Sequence, residues 1–164
     1  MFRAVTLPHN VPGRLYLHSM PGRYEQWEDF TAEASRCNIQ TIVCLAPDEE
    51  IEEKSPLYAT AIRGGPISYS RKCFPILNHG VPKERDQYAD FVMDIAKLLR
   101  SDETILVHCG GRIGRTGTFA ICLLLALGVN REEAERTVND ADSHPETDEQ
   151  RSFIDWFEKR LIAE

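Results

Sequence analysis

Residues 107–117 read Val-His-Cys-Gly-Gly-Arg-Ile-Gly-Arg-Thr-Gly, which places the Cys109 thiol six residues before the Arg115 guanidinium, among four glycines. A cysteine is a nucleophile as its thiolate, and positive surroundings favour that form. An arginine offers a planar fork that holds two phosphate oxygens. Between the two, the backbone N–H groups of Gly110, Gly111, Arg112, Ile113, Gly114 and Arg115 can curl around one anion. Glycines permit the positive φ that such a nest needs. Thr116 can hydrogen-bond the sulfur and make it a better leaving group. The combination suits attack of Cys109 on a bound phosphate, and the bland alternative is a core cysteine on a glycine turn. Other phosphate loops fit worse. G-x-x-x-x-G-K-S/T needs lysine where Arg115 stands, and G-x-G-x-x-G fails at Arg112.

The flanks of this loop must position it. "ETILVHC" (103–109) is the most strand-like run, and "TFAICLLLALG" (118–128) is an almost wholly apolar helix that Gly128 caps. An anion beside the N-terminus of that helix gains free N–H groups and a favourable dipole. Upstream, "RLYLHS" (14–19) alternates as a strand does, and Trp27, Phe30, Ala34 and Cys37 follow helical spacing. "TIVCLA" (41–46) reads as a strand buried on both faces. The chain is helical at least from 56 to the stop at Gly64-Gly65, and strand-like over 67–76. Pro82 opens a helix whose stripe is Tyr88, Phe91, Val92, Ile95, Leu98 and Leu99. Asn130 with Glu133, and Thr147 with Gln150, start the last two helices. Strands alternating with helices predict an α/β fold: one domain over 1–164, with a central, mainly parallel sheet flanked by helices. In such sheets ligands bind beyond the carboxyl ends of the strands, where Cys109 stands.

Composition narrows the partners. The 164 residues carry 19 basic and 26 acidic side chains, a formal charge of −7, which argues against a general nucleic-acid binder. No apolar run reaches membrane-spanning length, and the start "MFRAVTLPHNV" has no apolar signal core. Cys37, Cys44, Cys73, Cys109 and Cys122 form no C-x-x-C pair and no disulfide framework, so a reducing cytoplasmic location is expected. The histidines have no zinc-ligand spacing, and neither metal nor other cofactor is expected.

"HCGGRIGRTG" resembles the His-Cys-x5-Arg-Ser/Thr signature of the protein tyrosine phosphatase superfamily. "ILNHGVP" (76–82) is similar to the family's acid loop, Asp-x-Gly-x-Pro, and "PETDEQ" (145–150) to its late glutamine-bearing segment. "RLYLHSMPGR" (14–23) resembles the opening strand of small dual-specificity and bacterial members. The resemblance implies a two-step reaction. Cys109 attacks phosphorus to form a phosphocysteine, Arg115 and the loop amides hold the equatorial oxygens, and a general acid protonates the leaving oxygen. Water then hydrolyses the intermediate. His108 matches the histidine that tunes the cysteine, and Gln150 the residue that positions water, unless it serves only as a capping residue.

Three positions depart from that pattern. Asn78 stands where the acid loop carries aspartate, and an amide cannot deliver a proton. His79, Glu84 and Asp86 are candidate substitutes, although a first-turn carboxylate such as Asp86 also suits a helix N-terminus. Arg112 replaces a glycine. It adds charge at the pocket rim, or it is a tolerated solvent-facing residue that strains the loop. Glu146 stands where tyrosine phosphatases often have their first glutamine. Two lesser candidates remain. Glu49 or Glu50 could orient Arg115, but within "DEEIEEK" a solvated charged face is the expectation. Cys44 ends a strand and is expected to be a buried inert cysteine rather than a disulfide partner of Cys109.

The expected function is a cysteine-dependent phosphatase acting on phosphotyrosine, with phosphoserine and phosphothreonine as further substrates, in phosphorylated proteins or peptides. The alternatives are a phosphate-binding pseudophosphatase with little turnover, and a phosphatase for phosphoinositides, inositol phosphates or RNA 5′-phosphates. Oligomeric state is not set by the sequence.

Overall fold

A computed structural model describes residues 1–64 and 69–164 of the chain. The elements run β1 (Arg3–Val5), β2 (Arg14–His18), α1 (Trp27–Arg36), β3 (Thr41–Cys44), α2 (Asp48–Lys54), α3 (Pro56–Gly64) and β4 (Ser70–Cys73). They continue with α4 (Arg85–Arg100), β5 (Thr104–His108), α5 (Gly114–Ala126), α6 (Arg131–Asp140) and α7 (Asp148–Ala163). One sheet has the order β1-β2-β5-β3-β4, antiparallel between β1 and β2 and parallel elsewhere. This is the α/β single-domain architecture that the alternation of elements implied.

The sheet's centre is β5, buried along its whole length because strands and helices cover it on every side. Side chains alternate across a strand, so its residues divide between two cores. Ile105 and Val107 join the larger core with Tyr88, Val92 and Leu99 of α4, Phe119 and Leu123 of α5, and Phe153 and Phe157 of α7. Leu106 joins a smaller core with Phe30 and Ala34 of α1 and Ile42 of β3. Apolar on all sides, α5 packs against α4, α6 and α7. Truncating Leu123 or Leu124 to alanine, both fully buried, would cost about 3 kcal/mol.

The caps agree with the sequence signals. Asn130 Oδ1 accepts from the Glu133 N–H at 2.9 Å, and Thr147 Oγ1 from the Gln150 N–H at 3.0 Å. Gly128 takes φ +94 just after Leu127, the C-cap of α5, a conformation that favours glycine. Other boundaries move. The helix expected to open at Pro82 begins at Arg85, because Pro82 is buried in the preceding loop. The strand expected over 67–76 spans Ser70–Cys73. Pro75, which lacks an N–H, follows it, and positions 65–68 lie outside the described residues. Two short elements escaped the sequence reading. β1 has three residues, too few to show a period, and α2 is set off from α3 at Ser55, just before Pro56.

Candidate active site

The turn from β5 to α5 carries Cys109 and ends on Arg115, and both are almost wholly buried. They meet in a cavity of about 190 Å³ whose wall also includes Gly111, Ile113 and Gly114. From outside the turn come Arg23, Lys54, Asn78, His79 and Glu146. A wider groove of about 870 Å³, bordered by Trp27 and Tyr69, has neither a cysteine nor an arginine among its described lining residues.

Arg115 is fixed by three bonds. Its Nη1 donates to Glu50 Oε1 and to the Ile76 carbonyl, each at 2.8 Å, and its Nη2 donates to Glu50 Oε2 at 2.8 Å. Glu50 is therefore no member of a solvated face, and that expectation is corrected. The short helix α2 turns Glu50 inward while the charges around it stay in water, a choice that spacing alone does not reveal. Burial opposes the charge on Glu50, yet Arg115 and then Lys54, whose Nζ donates at 3.1 Å, hold its carboxyl below the usual range. Burial also opposes the Arg115 charge, and Glu50, together with Cys109 and Cys44, more than restores it. The guanidinium is pre-oriented rather than recruited by a ligand.

Several contacts hold the loop itself. The Gly110 carbonyl accepts from the Met20 N–H at 3.3 Å and from Arg23 Nη1 at 3.0 Å. His108 is fully buried, and burial lowers its pKa to about 4, so the ring is neutral near pH 7. Its Nδ1 lies 3.0 Å from the Cys109 carbonyl, which can only accept, so Nδ1 carries the hydrogen. Nε2 then accepts from the Tyr58 hydroxyl at 2.8 Å. Tyr58 comes from α3, and nothing in its sequence context marks it for this role.

The nest differs from expectation at one point. Its left-handed residue is Arg112, φ +76, while Gly22 and Gly128 are the described glycines with positive φ. Loop strain is therefore real at Arg112, and Gly110, Gly111 and Gly114 do not relieve it. The Arg112 side chain is not part of the cavity wall, its Nε is buried without a partner among the described residues, and its carbonyl accepts from the buried Ser143 hydroxyl. Gly117 serves close approach instead. A Cβ there would stand 2.5 Å from the His144 nitrogen, so only glycine lets 143–147 lie against α5. The Thr116 hydroxyl is buried and lacks a hydrogen-bond partner among the described residues; no bond to Cys109 is formed.

The segments expected to flank the loop are both present. Asn78 and His79 face the cavity, His79 with φ +64 in a turn where the Gly80 N–H reaches the Leu77 carbonyl at 2.9 Å. Asp86 is not brought to the cavity. It is exposed on α4 and accepts from Arg160 Nη1 of α7 at 2.7 Å. Glu84 is not in the wall either. Gln150 is fully buried and does more than cap a helix. Its Oε1 accepts from the Glu146 N–H at 2.7 Å, and its Nε2 donates to the Gly80 carbonyl at 3.2 Å, tying the two flanking segments together. Cys44 is buried and in no disulfide, as expected, but its surroundings are polar. It lies in register with both His108 and Cys73, donates to the Ala46 carbonyl at 3.4 Å, and receives Arg71 Nη2 at 3.7 Å. Hydrogen bonding from Cys73, ahead of the Arg71 charge, favours its thiolate against burial. It is a buried cysteine in polar company.

Sequence reasoning had no signal for Arg23, Lys54, Tyr58, Ser143 or the Ile76 carbonyl. Each reaches the loop from a distant element through tertiary folding alone.

The family model described as "Swiss Army Knife protein, DSP-PTPase phosphatase domain" matches residues 7–159. No curated protein sequence matches. Among solved structures, kinase associated phosphatase with its catalytic-site cysteine replaced by serine aligns at TM-score 0.81 and 21% identity, over 100% of this chain and 97% of that one. Tk-PTP in the active form aligns at 0.68 and 24%, over 96% and 97% of the two chains. PTPMT1 in complex with PI(5)P aligns at 0.68 and 16%, over 91% and 92%. At these identities the structural likeness is one of fold.

Proposed function

The chain belongs to the DSP-PTPase phosphatase domain family, whose members are phosphoric monoester hydrolases, and from that premise we propose that it hydrolyses phosphotyrosine, and also phosphoserine and phosphothreonine, in proteins. The observation that carries the reading is the pre-oriented Arg115 beside Cys109 in one small cavity. In this reading Cys109 Sγ attacks phosphorus, the S–P bond forms and the ester P–O bond breaks. Arg115 and the N–H groups of residues 110–115 hold the three equatorial oxygens, where they stabilise charge without reorganising. The helix start at Gly114 adds its dipole. Neutral His108 fixes the Cys109 carbonyl and through it the loop. Gln150 anchors the segment from which water would be aligned. Of the substitutes for the missing aspartate, His79 lines the cavity and Asp86 does not. The five unpaired cysteines accord with a reducing, cytoplasmic setting, and no described helix is long and apolar enough to cross a membrane.

The expected result is hydrolysis of an aryl phosphate in the presence of a chelator, inhibited by vanadate and abolished by Cys109→Ser. Normal turnover by that variant would sink the proposal. One observation favours a second reading, a phosphate-binding pseudophosphatase: Asn78 itself faces the cavity. Rapid turnover by the unaltered protein eliminates it. Asn78→Asp should raise kcat on poor leaving groups by about 10²-fold, the lower end for a general acid.

A further inference from the structure

With Asn78 unable to give a proton, the described residues of the cavity wall still include one carboxyl. Glu146 lies in its wall on the segment before α7. Glu50, the other carboxylate nearby, has both oxygens committed to Arg115 and one shared with Lys54. Glu146 is placed by two features. Its N–H is bonded to the buried Gln150 side chain at 2.7 Å, so its backbone is fixed. Its side chain lies over Gly114, the first residue of α5: a Cβ on Gly114 would stand 2.5 Å from Glu146 Oε1 and 3.0 Å from Gln150 Oε1. Glycine at 114 is thus what lets the carboxyl reach over the helix start that cradles phosphate. Cys109 and Glu146 line the same cavity, Cys109 almost wholly buried and Glu146 exposed to solvent.

We propose that Glu146 is the proton carrier of this site, a catalytic residue standing in for the missing aspartate; the inference rests on the phosphatase reading above. In the first step its carboxyl gives a proton to the ester oxygen as the P–O bond breaks and the S–P bond forms. In the second its carboxylate takes a proton from water as the water oxygen bonds to phosphorus. The S–P electron pair then returns to Cys109, and Glu146 is reprotonated for the next turnover. The charged and titratable groups that share the cavity wall with it are Arg23, Lys54, His79, Cys109 and Arg115, and His144 lies two residues before it in sequence.

The test compares the unaltered protein with Glu146→Gln, Glu146→Asp and His79→Gln on aryl phosphates of graded leaving-group acidity, in steady state and in the first turnover, across pH 4–9. For Glu146→Gln, kcat should fall by about 10²-fold or more and its acidic limb should flatten. Activated substrates should give a burst of one phenolate per enzyme, because the phosphocysteine then accumulates. Glu146→Asp should recover part of the rate with the pH limb intact, which a purely structural role would not produce. Glu146 is exposed, so an unchanged Tm is expected. A wild-type rate and profile in Glu146→Gln, or the same losses in His79→Gln instead, overturns the proposal alone. An unaltered protein with neither burst nor turnover overturns the phosphatase reading, and this inference with it.

Discussion

Arg112 is the residue whose identity most exceeds what the chemistry asks of it. Its φ of +76 is a left-handed conformation that costs a non-glycine residue about 1 kcal/mol, and its side chain is not part of the cavity wall that would repay the cost. Arg112→Gly should therefore raise folding stability by about 1 kcal/mol, read as a higher urea midpoint at unchanged slope. An unchanged or lower midpoint would show that the guanidinium packs more favourably than its unpartnered Nε suggests. His79 is in the same conformation, φ +64, and is presented to the cavity by that turn.

Elements, not single residues, make the site rigid. Arg115 rides on α5, but its orientation is set by α2 through Glu50 and by the Ile76 carbonyl beyond β4. Glu50→Gln keeps the shape and removes the charge. It should lower kcat by about 10- to 100-fold through misplacement of the fork, and folding stability by about 2 kcal/mol, because Arg115 stays buried. Side-by-side kinetics and urea titration check both, and a full-rate variant would show that phosphate alone orients Arg115. The α3 contribution is similar in kind: the Tyr58 hydroxyl fills the one acceptor that the buried His108 would otherwise leave unpaired.

At the scale of the molecule, the central strand ends on a buried histidine, and this ties stability to pH. The folded-state pKa of His108, about 4, lies below the ordinary 6.5, so the unfolded chain binds the proton first. The stability it contributes is complete above about pH 6.5 and is lost as pH falls toward 4. The full loss is of order 3 kcal/mol. Glu50, held low by Arg115, adds a second loss that begins near its unfolded value and continues below it. Urea midpoints should thus drop between pH 7 and pH 5, and His108→Gln should flatten that interval while leaving the steeper fall below pH 4. An equal drop in the variant would assign the effect elsewhere.

What the sequence determined was whatever is written locally. The apolar run of β5, the apolar helix α5 and the cysteine, glycines and arginine between them fix a phosphate-sized turn at the carboxyl end of a central strand. The caps at Asn130 and Thr147 were legible because a cap is a three-residue bond. What only tertiary structure decided was every partner contributed from afar. Glu50 looked like one charge among many in "DEEIEEK" until α2 packed its inward face against the loop. Asp86 looked available until α4 turned it toward Arg160. Glu146 looked like a departure from a pattern until Gly114 was seen to make room for it. Residue type and spacing specify which chemistry a short segment can perform. Which charged group faces the cavity depends on the packing of helices far apart in sequence, and no local period records it.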